Sequence, residues 1–69
     1  MPFNYNKLWK LLIDKGITKE ELRVAANLSP NTIAAMGKNK SVSLDVIDKI
    51  CKSLNCEPNE VFDYIRENE

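Results

Sequence analysis

The only thiols in this sequence of 69 residues are Cys51 and Cys56, and it contains no histidine. A closed structural zinc site takes four Cys or His ligands, so two thiols alone do not form one. A catalytic cysteine needs a neighbouring base to generate its thiolate, and without histidine that support is missing. No nucleophile elbow and no Gly-rich phosphate loop occurs either, so the residues exclude an enzyme and call for no cofactor. Cys51 falls in the run Ile47, Ile50, Cys51, Leu54, whose i, i+3, i+4, i+7 spacing makes it a core residue of a helix. Cys56 lies in the loop that follows and is at most a redox-sensitive thiol.

Charge carries more information than these thiols. Ten Lys/Arg balance ten Asp/Glu, for a net charge of zero, but the distribution is uneven. Residues 1–56 hold nine basic against five acidic side chains (net +4), and residues 57–69 hold one against five (net −4). A polyanion responds to the field of the face it meets, so a basic body with an acidic tail is compatible with binding one. The N-terminus lacks the basic and then apolar layout of a secretory signal, and no run approaches a membrane span of about 20 apolar residues. The expected location is the cytoplasm, where both thiols stay reduced.

The elements that must position these groups can be read from punctuation and periodicity. With 43% hydrophobic and 29% charged residues in so short a chain, one core and one domain over 1–69 are expected. A first helix runs from about Asn4 to Lys15. Its apolar face comprises Tyr5, Leu8 and Leu12, flanked by Trp9, Leu11 and Ile13, and Gly16 ends it. Thr18-Lys19-Glu20-Glu21 is a capping box that opens a second helix with Leu22, Ala25 and Ala26 inward; Asn27, tolerant of the left-handed region, ends it.

Ser29 then caps a third helix with Pro30 at its first position. Ile33 and Met36 face inward, and Gly37 stops the helix. After Lys38-Asn39-Lys40-Ser41, Ser43 caps a fourth helix that ends at Asn55. Pro58 opens a fifth with Val61, Phe62 and Ile65 on one side, its start favoured by Glu57 and Glu60. With no alternating run of strand length, the fold class is all-α with five helices. The few residues between helices two and three force a sharp corner, that of a helix-turn-helix.

This order of residues resembles the Xre/Cro family of bacterial and phage helix-turn-helix regulators, in its compact subgroup with a lambda-repressor-like fold. The likeness runs through Gly16-Ile17-Thr18-Lys19-Glu20-Glu21-Leu22, Asn27-Leu28-Ser29-Pro30-Asn31-Thr32-Ile33, Met36-Gly37-Lys38-Asn39, Val42-Ser43-Leu44-Asp45 and Ile47-Asp48-Lys49-Ile50-Cys51. It covers about nine-tenths of the chain and is specific in order and spacing. Four positions depart from the family pattern. Lys19 stands where Gln is frequent, Asn27 where Gly is usual, and Pro30 and Ala35 where many members carry polar base-readers.

The resemblance implies sequence-specific binding of double-stranded DNA by a transcriptional regulator, a repressor being expected. The third helix would enter the major groove and the second would cross the phosphates. Ser29, Asn31, Thr32 and Ala35 would then point toward base edges. Asn31 leads this set, because an amide pairs bidentately with adenine, a contact class contributing roughly 1–3 kcal/mol of discrimination. Lys19, Lys38, Asn39 and Lys40 would hold phosphates, the last three through side chains and backbone N–H groups. Arg23 would add to them unless it pairs with Glu20 one turn earlier. A homodimer joined through helix five or helix one is expected, since members of the family commonly bind two-fold sites. No small-molecule ligand is expected in so short a chain. The competing reading keeps the fold but makes it a protein-interaction module such as an antitoxin, antirepressor or adaptor, as the zero net charge, acidic tail and sparse third helix suggest.

Overall fold

The computed structural model describes residues 2–66. Four helices, α1 (Asn6–Lys15), α2 (Lys19–Ala25), α3 (Pro30–Gly37) and α4 (Leu44–Leu54), lie between two short strands, β1 (Phe3–Asn4) and β2 (Asp63–Tyr64). A single 3-10 turn, Pro58–Glu60, precedes β2 and packs against α1 and α4. Leu8, Leu22, Met36 and Ile50 are fully buried, one from each helix, and Val61, just past the 3-10 turn, completes this centre. Every helix therefore anchors in one shared core, and the exposed face of each is fixed by the residue it commits inward.

The helix starts follow from hydroxyl and amide chemistry. The Thr18 hydroxyl accepts from the Glu21 N–H at 3.1 Å, and the Glu21 carboxylate accepts from the Thr18 N–H at 2.9 Å, completing the expected capping box. Ser29 and Ser43 cap α3 and α4 by accepting from the Thr32 and Val46 N–H groups. α1 begins at Asn6, two residues later than the sequence suggests. The buried Asn4 amide oxygen accepts from the Asn6 N–H at 3.1 Å, a turn that leaves Asn4 itself in β1.

Each helix ends at a residue in the left-handed region: Gly16 (φ 71°), Asn27 (56°), Asn39 (57°) and Asn55 (53°). In every case the next residue's N–H reaches back to a carbonyl of the last turn: Ile17 to Leu12, Leu28 to Arg23, Lys40 to Ala35 and Cys56 to Cys51. This closure satisfies carbonyls that a helix end would otherwise strand. One expectation shifts here. Gly37 does not end α3 with a positive φ but is its last helical residue, and the reversal falls on Asn39.

The fifth helix is not formed. After the 3-10 turn Val61 is buried, and the backbone becomes extended and pairs antiparallel with β1, Phe3 opposite Tyr64 and Asn4 opposite Asp63. The Ile65 N–H continues the pairing onto the Pro2 carbonyl at 2.6 Å. Val61, Phe62, Tyr64 and Ile65 are β-branched or aromatic residues that favour extended backbone once a partner strand is present. Phe3 supplies side-chain packing as well, meeting Phe62 and Tyr64 edge-on with ring centroids 6.0 and 5.2 Å apart. The Asp63 carboxylate also takes the Tyr64 N–H, diverting it from a helical bond. The fold is thus mostly helical, with four helices and a strand pair in place of five helices. Two side chains assigned inward are exposed, Ala25 on α2 and Ile13 on α1. Of the acidic tail, Glu67 and Glu69 lie outside the described residues.

Candidate nucleic-acid interface

The corner between α2 and α3 is built from three independent ties. Asn27 reverses the chain, and the Leu28 side chain is buried beneath it. The Arg23 guanidinium spans the corner, donating through Nη1 to the Leu28 carbonyl at 3.4 Å. The same guanidinium forks onto Glu20, with Nε 2.8 Å from one carboxylate oxygen and Nη2 bonded to the other. That hydrogen bond holds the Glu20 carboxyl below its usual range and raises Arg23 above its own. Arg23 is therefore a brace of the turn, paired as its spacing with Glu20 allowed.

α3 presents its faces according to its two inward residues. Met36 is fully buried and Ile33 half-buried against the core. The opposite arc carries Asn31, Ala34 and Lys38, all exposed and spaced i, i+3, i+7, with Ala35 half-buried at its edge. Among the described residues, no carboxylate bonds to a side chain of α3. Asn31 makes no side-chain hydrogen bond within the described residues and so offers both its donor and its acceptor outward. Ser29 and Thr32 are placed differently: their hydroxyls lie 2.9 Å apart, and the Ser29 oxygen also accepts the Thr32 N–H. Their hydrogen bonding is largely spent on opening the helix. Ala34, absent from the residues singled out by sequence, is more exposed than Ala35; projecting the helix from Ile33 and Met36 would have identified it.

The loop after α3 exposes Lys38, Asn39 and Lys40. Their backbone N–H groups are not available as expected, because they bond to the Ala35, Met36 and Ala35 carbonyls at 3.1, 3.0 and 2.9 Å. Only the side chains remain for an anion. Behind the loop, the buried Tyr5 hydroxyl donates to the Lys40 carbonyl at 2.6 Å, linking α1's N-cap to the segment following α3 across 35 residues. Burial raises the pKa of that hydroxyl above its ordinary value. Nothing in the local sequence marks this tie, since it joins segments distant along the chain. At the start of α2, the Lys19 ammonium sits 4.2 Å from the centroid of the Trp9 ring, a cation–π contact that anchors its stem while the residue stays exposed.

This arrangement of a caps-and-corner pair with one outward helix face has counterparts of known class. The sequence profile of the Cro/C1-type HTH DNA-binding domain matches residues 7–67. The chain belongs to the Cro/C1-type helix-turn-helix family. An uncharacterized HTH-type transcriptional regulator of Bacillus subtilis strain 168, YozG, is 31% identical to it over 49 residues. That alignment takes in 71% of this chain and 58% of the relative, so the chain spans less than two thirds of that protein's length. The crystal structure of the transcriptional regulator VanUg, Form II, superposes with a TM-score of 0.91 at 47% identity, over 96% of this chain and 88% of that one. In this Cro/C1-type domain α2 and α3 are the helix-turn-helix pair. Among the described residues no helix is long and apolar enough to cross a membrane.

Proposed function

We propose that residues 1–69 act as one helix-turn-helix domain that binds double-stranded DNA sequence-specifically and regulates transcription, as a repressor, in the cytoplasm. Binding rather than catalysis is its activity. The observation that carries this reading is the exposed Asn31–Ala34–Lys38 arc of α3, held outward by Met36 and by the Asn27 corner. Asn31 is the principal base reader, with the Ala34 and Ala35 methyls suited to thymine methyl groups. Thr32 and Ser29 hold the helix start and contribute minor contacts. Lys38, Lys40 and Lys19 contact phosphates through their ammonium groups, with Asn39 beside them.

A homodimer on a two-fold site would double these contacts. With no fifth helix, its seam falls on the exposed Tyr64 and Ile65 in and beside β2, or on Ile13 of α1. Selection of bound duplexes from a random pool tests the reading: a defined motif is expected, and its symmetry reports the dimer. Asn31→Ala should relax preference at one base step. Lys38→Ala should weaken binding to all sequences and lower the salt slope by about one. If no duplex is retained even at low salt, the DNA reading is overturned in favour of a protein-interaction module, which zero net charge and the exposed apolar Leu44, Tyr64 and Ile65 would then explain.

A further inference from the structure

The two cysteines, separated by four residues in sequence, meet at the C-terminal end of α4. The Cys56 N–H donates to the Cys51 carbonyl at 3.1 Å, so the two Cα atoms stand no more than about 7 Å apart. Disulfides span Cα separations of about 4.4–6.8 Å, so little backbone movement is needed to close one. Both residues line one surface cavity of about 370 Å³ with Leu44, Ile47 and Phe62, so they border the same opening to solvent. Both are reduced and half-buried.

From the closed helix end and the shared cavity we infer that Cys51 and Cys56 form a dithiol modification site, converted reversibly to an intramolecular disulfide by low-molecular-weight disulfides. In the first step one cysteine thiolate attacks the reagent's S–S bond, forming a mixed disulfide and releasing one thiolate. In the second, the other cysteine's thiolate attacks the protein sulfur of that mixed disulfide and expels the second. The two thiol protons end on the two released thiols, and two electrons pass from the cysteine pair to the reagent.

The surroundings set the rate. Burial, reinforced by the neighbouring Cys51 and Glu60 and opposed by Lys15, pushes the Cys56 thiol up to about 11, so few molecules carry that thiolate at neutral pH and its exchange is slow there. Oxidation should accelerate severalfold with each pH unit from 7 to 9.

The test uses the intact chain, folded and at dilute concentration, incubated with glutathione disulfide, quenched with acid and weighed by mass spectrometry. The expected product is a monomer lighter by two hydrogens, with a Cys51–Cys56 link in its peptide map, restored by dithiothreitol. Cys56→Ser should give one stable glutathione adduct on Cys51 and no internal link. Since that variant could be destabilised, Cys51→Ala provides the reciprocal adduct on Cys56. Accumulation of a doubly glutathionylated wild-type chain, chain-to-chain disulfides, or oxidation only after urea unfolding would each overturn the proposal.

Discussion

Tyr5→Phe isolates one hydrogen bond and leaves the packing in place. The ring is 3% exposed and its hydroxyl donates to the Lys40 carbonyl at 2.6 Å, so the substitution removes a single oxygen from the interior. A typical intramolecular hydrogen bond contributes a net 0.5–1.5 kcal/mol or so, and a stranded buried partner adds roughly 1–3 kcal/mol. Lys40 lies in an exposed loop whose backbone can adjust toward solvent, so the second cost is expected to be small. The expected loss is therefore about 1 kcal/mol, equivalent to a fall of roughly 4–8 °C in Tm for a domain this small. Urea titration followed by the fluorescence of Trp9, the sole tryptophan, whose ring lies 6.5 Å from that of Tyr5, reads the change locally and globally. The slope m should be unchanged while the midpoint moves. If stability stays within about 0.3 kcal/mol of wild type, the bond does not restrain the loop after α3, and the positioning argument for Lys38 and Lys40 fails.

Alkaline pH acts on the same bond. Burial raises the Tyr5 hydroxyl above its ordinary value of 10.0, so the unfolded chain loses this proton first. The stability it contributes is fully present below pH 10 and declines as pH rises through 10 toward the folded value; the stability difference between wild type and Tyr5→Phe should narrow over that interval in parallel urea titrations. Asn39→Ala should destabilise by roughly 1–2 kcal/mol, because a non-glycine residue lacking Asn's short polar side chain must hold φ 57°. Gly37→Ala should do the opposite, adding about 0.5–1 kcal/mol, since Gly37 is helical and an added Cβ meets nothing within 4 Å. Thermal melts of this pair check both signs, and equal losses would refute the placement of the reversal at Asn39.

What the residues announced in advance was local. The capping hydroxyls of Thr18, Ser29 and Ser43 and the left-handed Gly16, Asn27 and Asn55 act within a few positions of themselves, so their chemistry shows in a short window. The Asn27 corner and Asn31's exposed start of α3 follow from these. What escaped notice depended on distant partners. Residues 61–65 have a helical apolar spacing as well as strand-favouring types, and the partner strand at Phe3–Asn4 decided between them. Gly37 and Asn39 both suit a helix end, and the reversal falls on Asn39. Tyr5's reach to Lys40 and Lys19's seat on Trp9 join separate elements and leave no trace in spacing. The outward place of Ala34 was available from Ile33 and Met36 but needed the whole helix projected rather than a motif matched.

The pairing of β1 with β2 makes the described chain almost a ring. Because the strands run antiparallel with Phe3 opposite Tyr64, a short turn joining the segment after Tyr64 to the segment before Phe3 would convert the strand pair into a hairpin. A rearranged gene could then begin at Ser41 and finish at Lys40, opening the exposed stretch between α3 and α4 while every helix keeps its neighbours. Such a circular permutant should fold to the same architecture, with its new ends beside the loop that follows α3.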